Sequence, residues 1–220
     1  MSEELLKTII QLFAIVAKER VTEAERNNIQ EFLSVHLNQE AIGYYLKLFD
    51  GHNTEIQIAK QAQLDNIDDQ TLEFVDDWAK IMAISKQVNA ALTMQQKAVL
   101  IIKIIELVFA DGEISERQEN LIFYIGEALK ISRRDMMCIK SFVLGQDLEE
   151  LSSKNILIID EGSGEYEIKG PRIVQKNLTG LIAILRLGSI ETYFIKYLGI
   201  SVLYLNGQPL KSRKIGVFPT

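Results

Sequence analysis

The sequence predicts an α+β chain: an all-α helical bundle with an internal helix-turn-helix duplication, followed by a small antiparallel β region. Three observations carry this. Apolar residues recur at helical spacing through the first two-thirds of the chain, and that part contains no proline. The composition then changes sharply near residue 150. Residues 1–150 hold five glycines and no proline, whereas residues 151–220 hold eight glycines and all three prolines, Pro171, Pro209 and Pro219. Finally, two stretches 93 residues apart align in both apolar spacing and capping chemistry.

The charge divides at the same place: 15 Lys and Arg against 25 Asp and Glu before residue 150, and 9 against 5 after it. A proline-free acidic part joined to a Gly/Pro-punctuated basic part reads as a helical domain over 1–148 and a β-rich segment over 149–220. With 47% apolar and 25% charged residues, the 220-residue chain has the composition of a globular protein. A net charge of −6 argues against general nucleic-acid binding, which needs a basic surface to release counterions. One cysteine, Cys138, excludes an intrachain disulfide and fits a reducing compartment. The start, Met1-Ser2-Glu3-Glu4, lacks the basic region of a signal peptide. Arg186, Glu191 and Lys196 interrupt the most apolar window, so no direct membrane insertion by this segment is expected. These features together predict a soluble cytoplasmic chain.

Leu5, Leu6, Ile9, Leu12, Phe13 and Val16 predict a helix over 3–19. Thr22-Glu23-Ala24-Glu25 is a capping box that opens a helix carrying Ile29, Phe32 and Leu33, with His36 beside them. Residues 39–50 predict a short helix stopped at Asp50-Gly51, and 52–66 a loop with at most one short helix. Asp68-Asp69 would cap the next helix, with Leu72, Val75, Ala79 and Met82 inward and Trp78 near that face. A second capping box, Thr93 to Gln96, opens the most apolar helix, Val99 to Phe109, which Asp111-Gly112 ends. The third box, Ser115 to Gln118, opens a helix presenting Leu121, Ile122, Ile125, Ala128 and Leu129. A last helix begins at Ser132 and stops at Gly145.

Sliding the chain by 93 residues places Leu12 on Ile105, Ile15 on Val108, Val21 on Ile114, Thr22 on Ser115 and Ile29 on Ile122. The turns differ, because Lys18-Glu19-Arg20 stands where the second copy has Asp111-Gly112-Glu113. A function that needs the acidic turn therefore belongs to the second copy. In the β part, Ile156–Ile159 and Tyr166–Ile168 predict a hairpin over 156–169, and Leu181–Leu187 and Thr192–Tyr197 are further strands. Val202–Leu205 runs into Asn206-Gly207, a hairpin signal, with Lys214–Phe218 as the return strand. The abrupt end after that strand suggests a chain cut from a longer protein.

No P-loop, zinc set or nucleophile–base arrangement occurs in the sequence, and no catalytic residue or bound cofactor is expected. The two histidines, His36 and His52, with Cys138 fall short of a four-ligand zinc site, and Cys138 reads as helix packing. What remains is the turn Asp111, Glu113, Glu116 and Glu119. Carboxylates on a tight turn can bind a hard divalent cation. Acids at a helix N-terminus equally favour the helix dipole and cap the helix. Asp65, Asp68, Asp69, Asp76 and Asp77 form a second acidic zone, read as a solvated face.

The apolar helix followed by Ala110-Asp111-Gly112-Glu113-Ile114-Ser115 resembles the TerB-like domain, named for tellurite-resistance proteins, over roughly residues 1–145. The resemblance implies an all-helical bundle with this internal duplication and a divalent metal site at Asp111, Glu113 and Glu116. The first copy departs from the pattern at Lys18-Glu19-Arg20. The run Glu191 to Gly199, with Leu203 to Leu210, is similar to the segment after the TerB-like region in large Bacteroides-type ATP-binding-cassette proteins. That likeness implies a non-catalytic N-terminal regulatory or interaction module, its β segment beginning a forkhead-associated-like domain. It places the partner ATPase, the ATP site and any tether to the inner membrane downstream. A stand-alone stress-response protein that binds a metal through the Asp111–Glu113 turn is the alternative.

Overall fold

The computed structural model describes residues 2–17, 20–35, 37–64, 70–162 and 168–218, with backbone alone at 59–64 and 70–76. The chain divides into two compact units, 1–133 and 134–220, each described by itself. This division falls one helix earlier than the composition break.

The first unit is a bundle of α1 (Glu3–Val16), α2 (Glu23–Ser34), α3 (Gln39–Leu64), α4 (Gln70–Ala91), α5 (Met94–Val108) and α6 (Glu116–Ala128). All three capping boxes form. Thr22, Thr93 and Ser115 each accept from the backbone N–H three residues on, and Glu25, Gln96 and Gln118 accept in return from the cap's own N–H. The most apolar helix, α5, buries Leu100, Ile101, Ile102, Ile104, Ile105, Leu107 and Val108. It shares the centre with α1, which packs against α3, α4, α5 and α6 and buries ten of its fourteen residues.

Two expectations for this unit fail. First, α3 does not stop at Asp50-Gly51 but runs on through 52–64. Gly51 costs about 1 kcal/mol in a helix interior, which tertiary packing on either side can offset. Phe49 is fully buried, Asn53 is nearly so, and Asp50 pairs with Arg26 of α2 instead of capping its own helix. Second, the face of α4 is misplaced where its side chains are described: Ala79 and Met82 are exposed, while the predicted Leu72 and Val75 side chains lie outside the described residues. Met82 is 46% exposed, while Ile81, Ser85 and Val88 face the core. Their spacing of four and three is helical, but a central serine breaks the apolar stripe that the sequence displays. The caps expected at Asp68-Asp69 lie outside the described residues, as do His36 and Asp65. Asp77 is not part of a solvated face: it is buried and bonded to Arg117 of α6 at 2.6 Å. Beside it, Trp78 meets Tyr124 edge-on, with ring centroids 5.4 Å apart.

The second unit packs α7 (Arg133–Leu144) and the short α8 (Leu148–Leu151) with a β region. Its five-stranded sheet runs β2 (Arg172–Val174), β1 (Ile156–Asp160), β3 (Leu181–Leu187), β4 (Thr192–Leu198), β7 (Ile215–Phe218). A separate hairpin pairs β5 (Leu203–Leu205) with β6 (Gln208–Leu210). Most of the sheet is antiparallel, as expected, but two pairings are not the predicted ones. β1 takes β2 as a parallel neighbour, Ile158 opposite Arg172, and Arg172 grips Asp160 through two hydrogen bonds of 2.8 and 2.7 Å. Of the predicted strand 166–168, Tyr166 and Glu167 lie outside the described residues and Ile168 is not in a strand. Asn206-Gly207 does make the tight turn, both residues at positive φ, but it returns into Gln208–Leu210; β7 joins β4 instead.

One lysine locks this unit. Lys196 is 1% exposed, and its ammonium donates to the carbonyls of Phe142, Val143 and Gly145 at 3.3, 2.7 and 2.6 Å. The last carbonyls of a helix have no partner within it and mark the negative end of its dipole. A strand residue thus caps α7 from the side and ties that helix to the sheet.

Candidate functional site

The acidic turn sits between α5 and α6. α5 ends in a tightening spiral: Phe109 N–H donates to Ile105 O at 2.9 Å, Ala110 to Leu107 at 3.2 Å and Gly112 to Phe109 at 2.9 Å. Gly112 has φ +88°, the left-handed conformation that glycine adopts without strain. The chain then extends through Glu113 and Ile114 to the Ser115 cap.

Asp111, Glu113 and Glu116 are all exposed, and Glu119 is half-buried. The structure places the three candidate ligands on one turn and the first residue of the next helix. It does not gather them: among the described residues no three His, Cys, Asp or Glu side chains form a group able to hold an ion. As they stand, these residues do not fit a preformed metal cage, which needs converging oxygens.

Beneath the turn the geometry is specific. Gln118, the third residue of α6, is 2% exposed. Its Oε1 accepts from Ser115 N–H at 3.1 Å, and its Nε2 donates to Val16 O, the last carbonyl of α1, at 3.1 Å. Asn28 of α2 returns the favour, donating its Nδ2 to Glu106 O in the last turn of α5 at 2.9 Å. Each copy's second helix therefore satisfies a C-terminal carbonyl of the other copy's first helix. Burial matches across the repeat: Leu12 with Ile105, Ile15 with Val108 and Ile29 with Ile122 are buried in both copies. The sequence shows Gln118 as the closing residue of the third capping box but not its bond to Val16, and Asn28 is not singled out there. The signal for Gln118 was present, since a buried amide carries more hydrogen-bonding groups than one cap uses.

Elsewhere, a groove of about 350 Å³ between α1, α3 and α4 has an apolar floor of Ile15, Ile56 and Ile84, rimmed by Gln11, His52 and Lys80. His52 Nδ1 lies 3.5 Å from Glu55. A second groove, about 470 Å³, is lined chiefly by Leu5, Ile9, Phe32, Leu92, Val99 and Leu100. In the second unit, the half-buried Cys138 thiol accepts from Asn155 Nδ2 at 3.1 Å. None of these places brings together a nucleophile, a base and an oxyanion donor set among the described residues.

Residues 7–141 match the family described as Tellurite resistance protein TerB. No curated protein and no solved structure matches the chain significantly. The family match covers more than half of the 220 residues, and the chain belongs to the TerB family.

Proposed function

We propose that this chain is a non-catalytic regulatory or interaction module, the N-terminal cytoplasmic part of an ATP-binding-cassette transporter-like protein whose ATPase acts as its partner. The observation that carries the reading is architectural. The TerB match runs to residue 141, and the compact unit from 134 onward joins its last helix to a five-stranded sheet; among the described residues Gln118 and Lys196 act as buried caps and ties. The likeness of Glu191–Gly199 and Leu203–Leu210 to the segment after such bundles in transporter-like proteins supports the parentage. Among the described residues no helix is long and apolar enough to cross a membrane, so on this reading the tether belongs to another part of the protein. The test is the reading frame that continues from Thr220. A Walker motif downstream in the same frame is the expected result, and a stop codon directly after Thr220 contradicts the parentage.

The second reading, a divalent-metal-binding stress protein, rests on the exposure of Asp111 and Glu113 on one turn and of Glu116 at the start of the next helix. A cation would have to draw these side chains together. Calorimetric titration with Ca²⁺, Mg²⁺, Mn²⁺ and Zn²⁺ tests it: saturable binding lost in Asp111→Asn/Glu113→Gln supports it, and equal binding by wild type and variant removes the site.

A further inference from the structure

The end of the second unit built by the loop 199–202, the β5–β6 hairpin and the turn 211–214 carries an unusual surface. Ile200 is 96% exposed, Tyr204 69% and Val202 67%. Pro209, opposite Tyr204 in the hairpin register, is exposed too. The hairpin's other face is occupied. Gly216 of β7 lies beneath it so closely that a side chain there would meet Leu210 Cδ1 at 3.3 Å. Tyr204 and Pro209 are therefore on the outer face of a hairpin already seated on its own sheet, and Ile200 and Val202 stand on the loop that leads into it.

Cations flank this apolar ridge from two sides. Ser212 Oγ donates to Gly199 O at 2.8 Å and Arg213 N–H to Tyr197 O at 2.7 Å, which holds Lys211 and Arg213 against the 199–202 loop. On the other side, Thr179 and Ser201 share a hydroxyl hydrogen bond, and Tyr197 OH donates to Thr179 O at 2.8 Å. That brings the 175–180 loop, with exposed Lys176, to the same end. No Asp or Glu occurs anywhere in residues 192–218. The chain is acidic overall, yet among the described residues this end sets Lys176, Lys211 and Arg213 against one exposed acid, Glu161, which follows Asp160, whose carbonyl accepts from Gln175 N–H at 2.7 Å.

We infer that this end of the β unit is a peripheral docking surface for an anionic phospholipid bilayer, with Ile200, Val202 and Tyr204 dipping into the headgroup boundary and Lys176, Lys211 and Arg213 meeting lipid phosphates. Charge complementarity selects an anionic partner. Shape favours a lipid surface over a folded one. A side chain 96% exposed has no wall around it, and such a ridge suits a fluid layer that closes around it, whereas a protein interface needs a matched surface. An apolar face with a basic rim is also the composition that lies on a bilayer rather than through it. The reading concerns adsorption, not insertion, and is independent of what the helical unit binds.

The test is co-sedimentation of the full chain with vesicles of phosphatidylcholine containing roughly one-third phosphatidylglycerol, against phosphatidylcholine alone. Each cation near such a surface is worth about a fivefold change in affinity. Binding to the anionic vesicles alone, weakened by salt, is expected. Ile200→Ser/Val202→Ser and Lys211→Glu/Arg213→Glu should each lower it about tenfold or more while the thermal melt by circular dichroism stays as in wild type. No sedimentation with anionic vesicles, equal partition onto both kinds, or an unchanged Ile200→Ser/Val202→Ser variant overturns the inference. So does self-association in solution that depends on Ile200 in a chain that ignores vesicles, since the face then meets protein.

Discussion

The two helix-turn-helix copies share a frame and differ at the turn, and the difference separates what the fold needs from what it only tolerates. Both copies open their second helix with a capping box, and both bury the third residue of that helix, Glu25 at 0% and Gln118 at 2% exposure. The residues differ in what they can do next. Glu25 has only acceptors, so its copy lends an amide from Asn28 instead; Gln118 caps with its oxygen and donates with its nitrogen. The acidity of the second turn plays no part in these bonds. A turn without it, in the first copy, supports the same architecture.

The largest effect should come from removing the residue that serves both roles. Gln118→Ala loses the return bond from the Ser115 N–H and the buried bond to Val16 while the Ser115 side-chain cap remains, and is expected to destabilise the first unit by about 2 kcal/mol in urea unfolding. Asn28→Ala removes only the reciprocal bond and should cost about 1 kcal/mol. Gly112→Ala places a side chain at φ +88° in open space, so its cost of about 1 kcal/mol is backbone strain alone. The mildest change is the one that touches the acids. Asp111→Asn/Glu113→Gln should leave stability within about 0.5 kcal/mol of wild type, because both residues are exposed and both variants keep the side chains' size. A large loss there would mean that the acidity holds the turn together.

A further contrast between the copies is a buried charge. Lys97 of α5 falls on Glu4 of the first copy, which is exposed, yet Lys97 is 5% exposed and its ammonium has the thioether of Met94 at 3.8 Å. Burial, with Lys130 adding to it, holds its pKa below the usual lysine range. The unfolded chain then binds this proton more tightly than the folded one. The resulting deficit is fully present below the folded pKa and disappears as pH rises past the ordinary lysine value. Lys97→Met should therefore stabilise the protein at neutral pH, with wild type approaching the variant in alkaline buffer. Equal stability of the two at neutral pH would show the ammonium to be well solvated.

The sequence made some of this fold plain and hid the rest for physical reasons. Capping boxes are local, so three short motifs located three helix starts to the residue. The faces of α1, α5 and α6 are strongly apolar and were equally legible. The stop at Asp50-Gly51 was misread because glycine's cost of about 1 kcal/mol is small beside burial of Phe49. The face of α4 was lost because Asp77 and Ser85 occupy it, and their burial depends on Arg117 and on neighbouring helices that no local pattern reveals. In the β unit the strands were visible but not their partners. Pairing is non-local: the Arg172–Asp160 grip draws β2 parallel to β1, and Asn206-Gly207 closes so tight a hairpin that β7 is released to β4. For the candidate site, sequence located the acidic turn and Gln118 as a capping residue but neither its bond to Val16 nor that of Asn28 to Glu106, since a bond from residue 118 to residue 16 leaves no local trace.

The bonds from Gln118 to Val16 and from Asn28 to Glu106 tie the two copies at their helix ends into one cooperative bundle on which the acidic turn is displayed. Native-state amide hydrogen exchange on wild type and Gln118→Ala tests it most directly. Core amides of α1, such as Ile10 and Leu12, and of α5, such as Ile101 and Ile104, are expected to open with a common free energy, and Gln118→Ala is expected to lower both together. Faster exchange confined to α5 and α6, with α1 unchanged, would contradict it.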